Sequence, residues 1–486
     1  MVMESRKNIC FTSRRFPGIV ERMGDSAAEI AEPAVALTAA ADTGLAGFVA
    51  PVFRPGEDGY LREVAGFQTA DRHRPAVVVA ARHTEDVRAA VEFAARYGLP
   101  VAVQATGHGL SVAADRGVLI STRKLTGTDI DPAATSARIG AGVRAGDLIE
   151  AAARYGLAPL NGSSPSVGVV GYVLGGGVGL LARKYGYAAD HVRAFELVTA
   201  DGRARTVRPG DELFGAVLGS GGNFGVVTWM ELDLVPVTAV YGGQLVFDTP
   251  LVPRALEIWR EWTATVPDSV TSAVTMLAFP DIPQIPEPVR GRFAASIRIA
   301  FDGGVREGDR LVAPLRAIGT PLKDDLRGMP YTESHTIHSD PDHPHAYAAT
   351  NALLGDLTPG ALAALLEVAG PDAGLGAVID IRHLGGALRN PGHTDLALDH
   401  RGAGYVVRVI AAPGPDAEPG APVRAALAPW TVGHNLAFLY GAGYAAGEAQ
   451  TRDGYSAETY TRLAALKAAY DPGNMFRFNR NIRPVN

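Results

Sequence analysis

Five apolar residues, Ala76–Ala80, run unbroken and are mostly β-branched, the pattern of a strand buried on both faces. The next segment changes period. Glu85 and Asp86 fall where a first helical turn favours acids, and Val87, Ala90, Val91 and Ala94 recur at helical spacing. Gly98 and Pro100 then close the helix, the first able to turn left-handed, the second unable to continue it. Val101–Val103 and Val118–Ser121 read as further strands, and Ala145–Tyr155 as a helix stopped by Gly156. From Arg74 to Tyr155 the chain therefore alternates strand and helix, the signature of an α/β unit.

Beyond it, Phe195–Thr199, an Asp201-Gly202 turn and Arg205–Val207 predict a hairpin, and Val226–Leu234 one more strand. From Val240 the strand-like runs lengthen: Gly243–Phe247, Ser272–Phe279 and Phe293–Phe301. Helical patterns at Pro253–Thr265 and Pro359–Ala369 interrupt them, so a second unit with a substantial sheet is expected. Ala457–Ala469 predicts a C-terminal helix.

Composition narrows the function. A chain of 486 residues that is 47% hydrophobic and 20% charged can bury two or three cores without covalent staples. Its net charge of −6 offers no basic surplus to displace counterions, so no nucleic-acid partner is expected. The sole cysteine, Cys10, rules out a disulfide framework and any cysteine-based metal centre. Arg14-Arg15 has the look of a twin-arginine signal, but Glu21, Arg22 and Asp25 break the apolar stretch such a signal needs, and Asp42 interrupts the Ala-rich piece after it. The first forty-odd residues are read as a loose arm. No membrane span is expected, and the cytoplasm is the expected compartment.

The candidate chemistry lies in glycines. Thr106-Gly107-His108-Gly109 directly follows a predicted strand, where bare backbone can approach a phosphate and a histidine is presented to it. Gly171–Gly179 holds three adjacent glycines, Gly175, Gly176 and Gly177, and Gly219–Gly225 forms a third nest. The spacing is not that of a dinucleotide-binding fingerprint, and no Gly-Lys-Ser/Thr phosphate loop or Gly-x-Ser-x-Gly elbow occurs. Three nests in one unit point to a large phosphate-bearing cofactor; the alternative is a set of tight core turns. His335, His338, His343 and His345 could hold a metal, but two prolines and the lack of helical His spacing favour a solvated loop, and no metal is expected.

Five segments in order carry a resemblance: RPAVVVAARHTEDVRAAVEFA, VAVQATGH, SVGVVGYVLGGGVGLLARKYGYAAD, LFGAVLGSGGNFGVV and YDPGNMFRFNRNIRP. Together they resemble the FAD-linked oxidases of the vanillyl-alcohol-oxidase superfamily, in the berberine-bridge-enzyme-like branch. The resemblance implies an α+β fold: a PCMH-type FAD-binding domain of two α/β subdomains over 50–238, and a substrate domain over 239–456 with an antiparallel sheet covered by helices. The segment 457–486 would complete the FAD domain, after an N-terminal arm of 1–49. Carried over by motif, His108 would bond covalently to FAD, and Gln104, Ala105, Thr106, Gly107 and Gly109 would wrap the pyrophosphate. Gln104 and Thr106 stand where many members have Arg and Gly. Ser164 occupies the place of a second flavin-linking cysteine, so a single link through His108 is expected. Val167 matches an oxygen-gate position. Gly168, Gly171, Tyr172 and the three glycines Gly175, Gly176 and Gly177 match cofactor-binding segments; Tyr172 replaces a histidine common there. Asn223, Val226 and Val227 match the second nest, and Asn479 and Asn481 the C-terminal flavin contacts.

The resemblance implies an oxidase that passes a hydride from an alcohol or activated C–H of a natural-product-like small molecule to flavin, with O2 as the partner that reoxidises it. A flavin dehydrogenase with another acceptor, and a metal-dependent hydrolase using His335–His345, are the alternatives. For the proton, the run Val378–Gly386 alternates like a strand, so Asp380 and Arg382 share a face. Either Asp380 is the base, or orients it, with Arg382 keeping it ionised, or the two form a salt bridge on the outer face of the sheet. Asn435 matches the asparagine of a Tyr-x-Asn-Tyr/Phe motif, but Gly433 and Leu436 replace its aromatics; Tyr440 and His434 are the remaining candidates.

Overall fold

The computed structural model describes residues 42, 44–393, 395–413, 420–441 and 447–485. Cys10, Arg14-Arg15 and most of the expected arm lie outside the described residues. The predicted α/β stretch folds into a four-stranded sheet, ordered Val52–Phe53, Val77–Ala80, Val118–Ser121, Val101–Gln104, in which the short edge strand pairs antiparallel and the other two pairings are parallel. The helix Thr84–Tyr97 crosses between its strands. Its entry is fixed by Asp86, whose carboxylate accepts the backbone N–H groups of Arg82 and His83 at 2.8 and 3.0 Å; its exit is Gly98 at φ 64°.

A second, antiparallel sheet of five strands runs in the order Thr128–Asp131, Ser136–Gly140, Val226–Asp233, Val192–Val198, Ala204–Val207. The predicted hairpin supplies its last two members, and Gly202 at φ 75° makes the turn. Both sheets share one apolar core with the C-terminal segment. Tyr460, Leu463 and Ala464 of the helix Ala457–Tyr470, and Phe476 and Ile482 after it, are buried in that core. Lys467 anchors the segment with its buried ammonium, which donates to Asp471, to the Phe476 carbonyl and to the Asn223 carbonyl at 2.6–2.9 Å.

The third sheet is antiparallel and holds nine strands. Its path is Lys323–Asp324, Ala239–Asp248, Phe293–Phe301, Val270–Ala278, Ala377–His383, Tyr405–Ala411, Ala348–Leu354, Thr431–Gly433, and Arg327–Pro330 also pairs with Ala239–Asp248. Its register sorts the side chains into two faces. Leu245, Ile297, Val274, Ile381 and Val407 fall in one cross-strand row, buried beneath the helices Val252–Thr263, Val305–Arg316, Pro359–Ala369 and Ala421–Leu427. The adjacent row on the other face reads Ser296, Thr275, Asp380, Arg408, Asn351. Val406 on that face packs in one cluster with Val178, Ala182 and Tyr187 of the glycine segment, so the polar face is turned toward the first two sheets. Sequence patterning missed the strands Ala348–Leu354 and Tyr405–Ala411: the first is buried throughout and the second except at Ile410, and a run buried on both faces carries no alternation. Among the described residues no helix is long and apolar enough to cross a membrane.

Candidate active site

The strand Val101–Gln104 ends in the loop that presents His108. Two backbone bonds hold this loop: Phe67 N–H to the Thr106 carbonyl at 2.9 Å and Gln68 N–H to the Gly107 carbonyl at 3.0 Å. Gly107 must be glycine, because at φ 71° a Cβ would lie 2.6 Å from the Gly66 Cα. The Thr106 hydroxyl accepts the Gly168 N–H at 3.2 Å and so ties the His108 loop to the second glycine segment. His108 stacks on Phe67, ring centroids 3.8 Å apart, and its Nε2 bonds to the Ser166 hydroxyl at 2.9 Å, with Ser164 3.0 Å behind. Burial pushes the imidazole down to about 4, against the Ser166 bond and the Asp340 charge, so the ring is neutral near pH 7.

Not every expected cofactor residue faces open space. Gln104 turns inward: it is buried, and its amide donates to the carbonyls of Glu63, Val64 and Ala65 at 3.2–3.4 Å, so its side chain closes a loop rather than meeting a ligand. Ala105 offers its carbonyl to Arg123 at 3.3 Å. The space beside Gly175, Gly176 and Gly177 is filled by Ala437, Leu398, Tyr172 and Ala188, where added Cβ atoms would come within 2.7–2.8 Å. These three glycines answer the demands of tight core packing. Gly109, Gly171 and Gly221 have nothing within 4 Å of a would-be Cβ, and Gly222 only the Asn479 amide at 3.9 Å. Those four are the open cradle. Asn223 is likewise an inward residue: its amide spans the Ser220 and Arg480 carbonyls and the Ile482 N–H, stapling the C-terminal segment to the nest. Val226 and Val227 put their side chains into the core.

Buried polar atoms without a partner mark where a polar ligand fits. Several such atoms are spread through the described residues, and four of them, Tyr172 OH, Ser220 Oγ, Asn479 Oδ1 and Asn481 Oδ1, lie on the cradle segments. Burial also raises the Tyr172 pKa above its ordinary value, so its hydroxyl is a neutral donor. The open glycines and these orphaned groups suit a long polar cofactor such as FAD.

On the facing sheet, Asp380 is 3% exposed and meets three hydrogen-bond donors and one further guanidinium. Its Oδ1 accepts Thr275 at 3.0 Å and lies 3.6 Å from Arg298; its Oδ2 accepts Arg382 and Arg408, each at 2.9 Å. A carboxylate has about four acceptor positions, and three carry hydrogen bonds, with the Arg298 guanidinium near the fourth. Burial alone would raise its pKa, but Arg382, Arg408 and Arg298 overrule it and hold the carboxyl far below the usual range. Arg408 also donates to the Tyr440 phenolic oxygen at 2.7 Å and lies over Phe438. Tyr440 packs edge-on against Tyr347, whose hydroxyl donates to the His108 carbonyl at 2.7 Å and so links sheet to cradle. His434 stands apart: its ring bonds to the Asn351 carbonyl at 2.7 Å, and among the described residues it shares no hydrogen bond with the arginine–Asp380 group.

The four-histidine loop divides. His335 and His343 are exposed, as expected of a solvated loop, but His338 is buried beside Arg298, Arg382, Asp340 and Asp380, and His345 packs on Phe67 and Tyr347 next to His108. Sequence patterning treated the loop as one solvated unit because prolines erase periodicity. Among the described residues no group of His, Cys, Asp or Glu is placed to hold a metal. Arg298 and Arg408 were also missed; arginines within otherwise apolar strand runs are the signal that could have found them.

The comparisons agree with this geometry. A family described as an FAD binding domain matches residues 75–208, and one described as berberine and berberine like matches 446–483. The chain is 31% identical over 440 residues to (R)-6-hydroxynicotine oxidase of Paenarthrobacter nicotinovorans, covering 85% of this chain and 92% of that one. The crystal structure of 6-hydroxy-D-nicotine oxidase from Arthrobacter nicotinovorans superposes with a TM-score of 0.74 at 26% identity, over 90% of this chain and 98% of that one. Xylooligosaccharide oxidase from Myceliophthora thermophila shares the fold, with a TM-score of 0.80 at 18% identity, over 92% of this chain and all of its own.

Proposed function

Because the chain belongs to the berberine-bridge-enzyme-like branch of the FAD-linked oxidoreductases, we propose that it is an oxidase holding FAD by one covalent bond to His108 and oxidising an alcohol or activated C–H of a small natural-product-like molecule. Bound FAD supplies the redox chemistry, taking a hydride equivalent from substrate and returning two electrons to O2 as H2O2. The observation that carries this reading is the setting of His108: a neutral imidazole, clamped between Phe67 and Ser166, on a loop beside open glycines. Ser166 occupies Nε2, and Nδ1 has no partner among the described residues, which leaves that nitrogen for bond formation. Ser164 has no thiol with which to form a second link. Val167 lines a small cavity with Val169, Tyr172 and Val173, which supports access of O2 to the cofactor region.

The chain's own share in the reaction is orientation and proton handling. Asp380, which already accepts from Thr275, Arg382 and Arg408 and is held ionised by three arginines, positions Arg382 and Arg408 and is a poor acceptor for a substrate proton. Tyr440 is the group we assign to that proton, because Arg408 is already bonded to its oxygen and compensates negative charge there. Of the two roles expected for Asp380, this geometry supports the orienting one.

Acid precipitation tests the link: the pellet should stay yellow, and the His108→Ala pellet should be colourless. Mixing the reduced holoenzyme with aerated buffer tests the acceptor. Reoxidation should outpace that of free reduced flavin and slow in Val167→Leu; a rate no faster than free flavin favours the dehydrogenase alternative.

A further inference from the structure

The polar face of the nine-stranded sheet is rich in arginine, and its charges do not cancel. Arg298, Arg382 and Arg408 come from three strands; the register sets Arg382 opposite Ala273, which also faces Arg298, and sets Arg408 opposite Asp380. Their side chains are only 14%, 15% and 9% exposed. Asp380 is a buried counter-charge, and Asp340, bonded to the Ser163 hydroxyl at 2.5 Å, is the other carboxylate within reach. His338, which lies among them, adds no charge to the site near pH 7, since burial pushes it down to about 3, helped by Arg298 and Arg382. Three guanidinium groups against two carboxylates leave one positive charge in a place with little water to screen it.

Donors are left over as well. Arg382 spends Nε on Asp380, and its two Nη groups make no hydrogen bond among the described residues. Arg298 Nε and Arg408 Nε are buried without partners. An end-on pair of Nη groups is the fork that matches the two oxygens of a carboxylate. A buried surplus charge with unspent donors is costly unless something arrives to pair with it.

We infer that the substrate carries a carboxylate, received by the free Nη fork of Arg382 on the polar sheet face, as in a sugar acid or hydroxy acid oxidised at a carbon near that group. This rests on the reading of the site as a flavin-dependent active site and names its substrate class. Tyr440 lies one guanidinium away, on Arg408, so the anion and the proton acceptor are spaced by the width of the Asp380 bridge. The surplus charge has a competing use: it could serve the cofactor alone by compensating negative charge on it.

The experiment titrates the purified yellow holoenzyme with matched pairs, benzoate against benzamide and D-glucuronate against D-glucose, following perturbation of the flavin absorbance. The acids should bind at least about tenfold more tightly than their neutral partners, and Arg382→Met should abolish that preference, whereas Arg382→Lys should keep part of it. Equal binding of acid and neutral partner, no perturbation by either acid, or an unchanged preference in Arg382→Met, overturns the proposal. So does an Arg382→Met variant whose flavin reduction potential shifts while its acid preference persists, because the guanidinium then serves the cofactor. A protein that holds flavin and is reduced by D-glucose but not D-glucuronate refutes only the substrate class; a purified protein that retains no flavin refutes the underlying function as well.

Discussion

The His108 loop and the Asp380 face lie against each other, joined by the Tyr347 bond to the His108 carbonyl, yet they are built from different materials. The cradle works through backbone: four glycines leave open space, and the loops that carry them are held by single hydrogen bonds such as Gly168 to Thr106 and Asn223 to Arg480. The sheet face works through side chains: three arginines from three strands converge on one carboxylate. Backbone sites tolerate changes in side chains nearby but not an added Cβ. Side-chain sites depend on every partner, because removing one leaves the others buried and unpaired.

The largest effect is expected where the proton moves. Tyr440→Phe should slow anaerobic flavin reduction by a confirmed substrate by about 10²–10⁴-fold in stopped-flow measurements. If Tyr440→Phe reduces at the parental rate while Asp380→Asn does not, the roles assigned to these two residues are reversed.

Asp380→Ala removes the shared counter-charge of three buried guanidinium groups. Denaturant unfolding should show a loss of about 3–5 kcal/mol. A loss under 1 kcal/mol would mean that the arginines find other partners and that the sheet face is no more demanding than the cradle.

The cradle gives a smaller, cleaner comparison. Gly221 at φ 69° and Gly98 at φ 64° both have nothing within 4 Å of a would-be Cβ. Alanine at either should cost roughly 1–2 kcal/mol of backbone strain. Only Gly221→Ala should also weaken retention of flavin in a His108→Ala background, measured by ultrafiltration; equal retention in both variants would remove Gly221 from the cradle.

The smallest effect is a slope. His338 titrates near 3 when folded against 6.5 when free, so the unfolded chain takes up the proton first as pH falls. Stability should therefore decline from about pH 6.5 downward, by at most ~1.4 kcal/mol per pH unit for one histidine. His73 and His108, each pushed down to about 4 by burial, add the same sign from the cradle side. His338→Gln should flatten part of the slope in unfolding curves taken between pH 6 and 4, and an unchanged slope would place the titration wholly in the cradle.

Much of the cradle could be read from the sequence, and little of the facing site. His108 and the glycine nests are local: each sits within a few residues of the strand or helix that presents it, and glycine at a costly position announces a demand for bare backbone. Even there, the sequence did not separate Gly221 and Gly222, which face open space, from Gly175–Gly177, which are closed by Tyr172, Leu398 and Ala437. Nor did it show that Gln104 and Asn223 turn inward to close loops. That choice depends on neighbours far away in the chain.

By itself the sequence determined the α+β plan and many of its elements, among them the helix Thr84–Tyr97, the Asp201-Gly202 hairpin, the helix Ala457–Tyr470 and the post-strand loop that carries His108, because periodicity, capping residues and turn chemistry act over a few residues. It also showed that Asp380 and Arg382 share a face, since strands alternate with period two. Only the tertiary structure decided that this face looks inward, that Arg298 and Arg408 join it, and that His338 leaves its solvated loop for the same cluster. Those placements follow from strand register and sheet packing, and both are set by burial of the opposite, apolar face against helices more than a hundred residues apart in the chain.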